Sequence, residues 1–169
     1  MEGIVNRVAE GGIITLDLET FYPKEEIVEL DIKDFLFMDM LLKEKEFREK
    51  LEQIDWTFYK DKIVAVFCST DAIIPMWAYM LVSTKLSPCA KEVFLGNKKE
   101  TLEKAVEKNI QQTNIDQFKD KRVVVKGCGD IEISPSAYLS ISNKIIPVVK
   151  SLMYGEPCST VPVYKKRGL

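Results

Sequence analysis

Hydrophobic and polar positions change rhythm near residue 60. Before that point the apolar residues alternate in short runs. After the paired Gly11-Gly12, Ile13-Ile14-Thr15-Leu16-Asp17-Leu18 reads as a half-buried strand, broken by Tyr22-Pro23. Glu26-Ile27-Val28-Glu29-Leu30 reads as a second short strand. Met40, Phe47, Leu51 and Ile54 then recur on one face of a helix rich in Lys and Glu, with Asp39 as its expected N-cap. From Lys62 onward the pattern is strand, helix, strand, helix, strand, helix. Ile63 to Phe67 is a continuous apolar run, the signature of a strand covered on both faces. A helix through Met76–Val82 follows, started by Asp71 as cap or Pro75 in the first turn, and ended by Ser87-Pro88. Glu92–Leu95 is a short strand. The next helix carries Leu102, Val106 and Ile110 on its buried stripe, with Glu100 four residues before Lys104. Arg122 to Val125 is the third strand. Ser134-Pro135 opens a last helix that Pro147 kinks and Gly155 ends.

This alternation predicts an α/β protein: a single three-layer domain over 1–169 with a largely parallel sheet and right-handed crossovers. The strand and helix extension of about residues 1–60 adds antiparallel N-terminal edge strands, and about 61–169 forms the parallel part. The runs 63–67 and 123–125 are expected as neighbouring or near-neighbouring parallel strands. Ligands of such sheets collect at the carboxyl ends of the strands, where Cys68 and Cys128 fall.

Charge narrows the partners. With 24 basic and 26 acidic side chains the formal charge is −2, which argues against general nucleic-acid binding. The basic Lys165-Lys166-Arg167 reads as a solvated terminus. Met1–Gly12 has no apolar core of a signal peptide, and no run approaches the roughly 18 apolar residues of a membrane span. The expected location is therefore the cytoplasm, where four cysteines stay reduced.

The chain has no histidine, which removes Ser-His, Cys-His and His-Glu-x-x-His chemistry. No phosphate loop is present: Gly127-Cys128-Gly129 lacks the third glycine of the dinucleotide fingerprint. Thiols are the candidate chemistry. Cys68 closes an apolar run before Ser69-Thr70-Asp71, Cys128 lies between glycines, and Cys158 repeats the Cys-Ser-Thr triplet. No Cys-x-x-Cys spacing occurs, so a shared site forms only by folding. Three thiolates without histidine suit an iron–sulfur cluster, iron or zinc. Asp71 is a candidate fourth, oxygen ligand or a base beside the thiol; its plain alternative is a helix cap. Asp130 carries the same ambiguity, and Lys126 either flanks the site and lowers a thiol pKa or, as strand-end lysines usually do, points to solvent. Cys89 reads as an incidental loop residue. Trp56, Phe58, Tyr59, Trp77 and Tyr79 line a pocket or pack in the core. Nothing in the spacing of Asp17, Glu19, Asp31, Asp34 and Asp39 singles out a catalytic pair. Three function classes stay open: a metal- or cluster-binding accessory protein, a small thiol enzyme, and a structural domain whose cysteines only pack.

Cys68-Ser69-Thr70-Asp71-Ala72-Ile73-Ile74-Pro75-Met76-Trp77-Ala78-Tyr79-Met80, Lys126-Gly127-Cys128 and Gly155-Glu156-Pro157-Cys158-Ser159-Thr160-Val161-Pro162 resemble the motifs of an uncharacterised bacterial family, domain of unknown function 2480, found mainly in Bacteroidetes. Gly12–Glu19 and Lys43–Arg48 resemble its N-terminal motifs, so the resemblance spans nearly the whole chain. It implies no established activity. It implies a link to the sulfur-mobilisation pathway of iron–sulfur cluster assembly, and so assembly proteins as partners, with Cys68, Cys128 and Cys158 as the motif cysteines. A fainter likeness joins Cys68-Ser69-Thr70 and Gly127-Cys128 to the thiol motifs of cofactor-independent amino-acid racemases. Those enzymes use two domains of comparable size, and this chain is too short for both; a homodimer does not rescue the likeness, because both thiols would still lie on one lobe.

Overall fold

The structure, a computed structural model, describes residues 8–9, 12–126, 129, 131–156 and 158–166. Its strands are β1 (Val8–Ala9), β2 (Ile13–Leu16), β3 (Ile27–Asp31), β4 (Ile63–Phe67), β5 (Glu92–Leu95), β6 (Arg122–Val125), β7 (Ser151–Glu156) and β8 (Ser159–Lys165). Its helices are α1 (Glu44–Glu52), α2 (Met76–Leu86), α3 (Lys98–Gln112) and α4 (Pro135–Ile145). The chain divides into two compact units. Pro23–Lys104 forms one, and Met1–Tyr22 with Ala105–Leu169 forms the other.

The unit Pro23–Lys104 holds a parallel sheet of order β3-β4-β5. Its central strand β4 is buried from Ile63 to Val66, as a continuous apolar run requires. α1 turns Phe47 and Leu51 inward, and α2 turns Ala78, Val82 and Leu86 inward at a spacing of four. Phe47 meets the rings of Phe35 and Trp77 edge-on at 5.7 and 5.8 Å. α3 opens on a reciprocal cap: the Asn97 side chain accepts from the Glu100 amide, and the Glu100 carboxylate accepts from the Asn97 amide.

The other unit holds a sheet of order β1-β2-β6-β7-β8. β2, β6 and β7 are parallel; β1 and β8 close the two edges as antiparallel partners of β2 and β7. Its core includes Leu16, Leu18, Phe118, Val123, Val124, Ile141, Ile145 and Leu152.

The two units repeat one another. Adding 59 to the β4–β5 register, Ile63↔Glu92 through Val66↔Leu95, gives the β6–β7 register, Arg122↔Ser151 through Val125↔Tyr154. The same offset maps Lys60-Asp61-Lys62 onto Lys119-Asp120-Lys121, Ala78-Tyr79 onto Ala137-Tyr138, Lys85 onto Lys144, Pro88 onto Pro147 and Gly96 onto Gly155. Unusual backbone repeats with it: Asp61 and Asp120 have φ of 59° and 55°, and Gly96 and Gly155 have φ of 134° and 121°. Turn hydrogen bonds repeat as well. Asp61 donates to the Cys89 carbonyl as Asp120 does to that of Val148, and Lys91 donates to Lys62 as Lys150 does to Lys121. The first strands correspond with an offset of 14: Ile13–Leu16 pairs β6 as Ile27–Leu30 pairs β4.

The α/β class and the predominance of parallel pairing stand as expected from the sequence. The arrangement differs in several places. The runs 63–67 and 123–125 are not neighbours: they are the corresponding strands of two separate sheets, each flanked by its own partners. β2 pairs parallel with β6 and β3 pairs parallel with β4, so among the described residues the antiparallel N-terminal edge is β1 alone. α1 begins at Glu44 with Lys43 at the cap position; Asp39 lies outside it in a turn with φ of 59°, and Met40 is 73% exposed. Asp71 does not cap α2, because Pro75 occupies that position and the residues between them are irregular loop. The last helix ends at Ile145, and 151–156 is a strand: β6 offers a free ladder edge that this segment fills.

Candidate functional site

In the unit of Met1–Tyr22 and Ala105–Leu169, Leu16, Val125 and Tyr154 are in register, so β2 and β6 end together while β7 runs on to Glu156. Asp17, just past β2, caps the 3-10 turn Leu18–Phe21 by accepting from the Glu19 amide at 3.0 Å. Its other oxygen accepts from Lys126 Nζ at 3.0 Å. The hydrogen bond and charge of Asp17 hold the Lys126 pKa above the usual lysine range against slight desolvation, with Glu19 and Glu156 adding to the effect. Glu19 Oε1 accepts from the Ile131 amide at 3.2 Å. It also sits 1.8 Å from where a Cβ on residue 129 would stand, so the carboxylate lies directly on Gly129. The Tyr22 hydroxyl donates to the Glu132 carbonyl at 2.9 Å. Residues 17–22 therefore fasten the loop after β6 at three points.

That loop borders a polar cavity of about 490 Å³, whose walls include Asp17, Lys126, Gly129 and Glu132. A second, apolar cavity of about 520 Å³ lies against Leu139, Leu152, Met153 and Val163. Tyr138 of α4 and Tyr154 of β7 wall both cavities, their rings edge-to-face at 5.8 Å. Cys158 lies exposed in the turn from β7 to β8, at the end of the sheet where β7 finishes. Cys128, Gly127 and Asp130 lie outside the described residues; Lys126 and Gly129, on either side in the chain, line the polar cavity.

In the unit Pro23–Lys104 the corresponding strand end is built alike. Asp31 caps the 3-10 turn Ile32–Phe35 by accepting from the Lys33 amide at 2.9 Å, and accepts from the Ser69 amide at 3.0 Å. Burial pushes the Asp31 pKa up, but hydrogen bonds from the Ser69 side chain and from the Lys33 and Ser69 amides outweigh it and hold the carboxyl below its usual value. Cys68 follows β4 directly and is half-buried against the core of its unit. Burial first, and the neighbouring Cys68 charge second, raise the Tyr79 phenol above its usual pKa. Asp71 is exposed. Cys89 lies after α2, its thiol directed at the Leu86 carbonyl at 3.4 Å. Trp56, Tyr59, Trp77 and Tyr79 pack against the core of this unit, while Phe58 is 55% exposed.

Among the described residues, no group of three or more His, Cys, Asp or Glu side chains is gathered tightly enough to hold a metal ion. Nor is any described helix long and apolar enough to cross a membrane. Asp17, Glu19, Tyr22 and Asp31, the residues that hold the two strand-end loops, escaped the sequence reading. For Asp17 and Asp31 the local signal is the doubled Leu-Asp at the end of both first strands, Leu16-Asp17 and Leu30-Asp31.

No curated protein and no solved structure matches the chain. One family does: residues 2–166 match the sequence profile described as Protein of unknown function (DUF2480), and the chain belongs to that family.

Proposed function

We propose that this protein is a cytoplasmic accessory protein that binds iron, zinc or an iron–sulfur cluster through Cys68, Cys128 and Cys158, with Asp71 as the candidate oxygen ligand and iron–sulfur assembly proteins as partners. The observation that carries the reading is that Cys68, half-buried, and Cys158, exposed, are free cysteines that follow the parallel strands β4 and β7. Such loops are where open α/β sheets hold their ligands, and soft thiolates select soft metals. Metal and acid-labile sulfide analysis of protein purified without oxygen tests it. Bound metal is expected, lost in Cys128→Ser and Cys158→Ser and retained in Cys89→Ser. Protein with no metal, no sulfide and ordinary reactivity at all four cysteines overturns it.

The duplication favours a second reading, a thiol-dependent enzyme. Cys68 and Cys128 fall one position apart when the two repeats are aligned at the offset of 59. One cysteine then acts as nucleophile or base and another as acid. Fast alkylation by iodoacetamide at a single cysteine of metal-free protein supports this reading over the first.

A further inference from the structure

The repeat supplies a comparison inside the molecule, at the end of each sheet where the parallel strands begin. In the unit Pro23–Lys104, three lysines near this end have carboxylate partners: Lys62 pairs with Glu26 at 3.0 Å, Lys91 with Glu25, and Lys85 with Glu52. The offset of 59 carries them to Lys121, Lys150 and Lys144. There the carboxylates are gone. The offset of 14 between the first strands puts Gly11 and Gly12 where Glu25 and Glu26 stand, and Lys144 donates to the Gln111 carbonyl instead. Other changes add positive charge. Arg122 replaces Ile63, Ser151 replaces Glu92, and β8, which has no counterpart in the β3-β4-β5 sheet, brings in Lys165 and Lys166. This last pair reads from the sequence as a solvated terminus, but Lys165 is in register with Ser151.

The lysines form a row. The Lys150 amide donates to the Lys121 carbonyl and the Lys166 amide to that of Lys150, so the three stand on adjacent chains, about 4.8 Å apart. Like charges so placed repel. Lys119, Lys121, Arg122, Lys150, Lys165 and Lys166 are all exposed, and the loops into β6 and β7 hold two carboxylates, Asp116 and Asp120. Among the described residues, Asp120 with Lys166 at 3.6 Å is the one ion pair of this set. Even with Glu2 and Glu10, the carboxylates of residues 1–11, added to the count, cations outnumber anions. None of the residues 113–121 or 146–150 is an exposed large hydrophobic, so these loops offer no side chain to insert into a bilayer or to stack on a base.

We propose that this basic end of β6, β7 and β8 docks an acidic segment of a partner protein, whose successive carboxylates take the place that Glu25 and Glu26 hold in the other unit. The surface lies at the opposite end of β7 from Cys158 and does not depend on what the thiols bind.

Fluorescence anisotropy of a labelled octaglutamate peptide, titrated with the full-length protein at low salt, tests this. Lys150→Glu, in the middle of the row, is expected to weaken binding about ten-fold, while Lys99→Glu, the same charge change on the exposed start of α3, leaves it within about two-fold. Added salt weakens the parent's binding as it screens the row. The Lys150→Glu protein is expected to melt no lower than the parent, because the new carboxylate relieves the repulsion between Lys121 and Lys166. Lys150→Gln, which removes the charge without reversing it, weakens the peptide about three-fold and guards against a folding defect in the first variant. The proposal is overturned if octaglutamate does not bind, if Lys150→Glu and Lys99→Glu weaken it equally, or if single-stranded DNA of the same charge or phosphatidylserine vesicles bind more tightly than the peptide.

Discussion

Asp31 illustrates how a single carboxylate sets a loop. It ends β3, caps the turn that follows, and reaches over to the amide that follows Cys68. A capping carboxylate that also holds a long-range amide contributes about 1–2 kcal/mol. The sign with pH follows from its lowered folded-state pKa. Stability from Asp31 is present above the unfolded value of about 3.9 and is lost as pH falls through the lower folded value. Asp31→Asn is therefore expected to lower stability at pH 7 by about 1 kcal/mol and to match the parent protein near pH 2, read from urea unfolding across pH. Glu19 and Gly129 form a second such pair. A methyl group on residue 129 displaces the Glu19 carboxylate and breaks its bond to Ile131. Gly129→Ala is expected to cost about 1 kcal/mol in the parent and far less in Glu19→Ala, a non-additive cycle that chemical denaturation measures. None of these carboxylates could be picked from the sequence. Their partners lie 38 residues away for Asp31, 109 for Asp17 and 112 for Glu19, and charged residues are plentiful throughout the N-terminal segment.

The elements that could be read from local pattern were those whose cause is local. β4 and β6 are short and rich in Val and Ile, with Arg122 exposed at the start of β6, and α4 opens on Ser134-Pro135 as the sequence suggests. Spacing pairs Glu100 with Lys104, but Glu100 turns back instead to accept from the Asn97 amide, an unsatisfied donor at the helix start, and the Lys104 ammonium donates to the Leu95 carbonyl. β7 and β8 had no such local cause. Ser151–Glu156 becomes a strand because β6 presents an edge to it, a non-local demand. Gly155, which reads as a helix stop, serves a different need: at φ of 121° it lets the chain run against Ser159, whose carbonyl oxygen lies 2.4 Å from the position of an added Cβ. Gly155→Ala thus meets both backbone strain and a rigid backbone neighbour, whereas at Gly12, with φ of 73°, no atom lies within 4 Å. The expected ordering is a loss of more than about 2 kcal/mol for Gly155→Ala and about 1 for Gly12→Ala. Unfolding midpoints of the two variants check it. The first variant should also change the alkylation rate of Cys158, which sits in the turn that Gly155 shapes.

The duplication explains why the whole was harder to read than its parts. Its two copies are not collinear: the second halves match at an offset of 59, but the first strands match at 14, because the β2 strand of one unit precedes the entire other unit in the chain. Identities at the long offset are few and short, the triplet Lys60-Asp61-Lys62 among them, and two of them, Asp61 with Asp120 and Gly96 with Gly155, share an unusual backbone. Reading the alternation as one sheet was the natural outcome, since β–α periodicity is identical for one sheet of many strands and two sheets of few. The duplicated design has an energetic consequence. Each unit encloses its own set of fully buried side chains, with Phe47 and Leu51 among those of Pro23–Lys104 and Phe118 and Ile141 among those of the other. Truncating a buried phenylalanine to alanine costs about 3–5 kcal/mol through lost burial and the cavity left behind. If stability is organised by unit, that loss stays where it is made. In Phe47→Ala, native-state hydrogen exchange should accelerate at the β3, β4 and β5 amides while β2, β6 and β7 keep most of their protection; Phe118→Ala should give the reverse. Equal loss of protection over both sheets in either variant would show that the repeated units unfold as one.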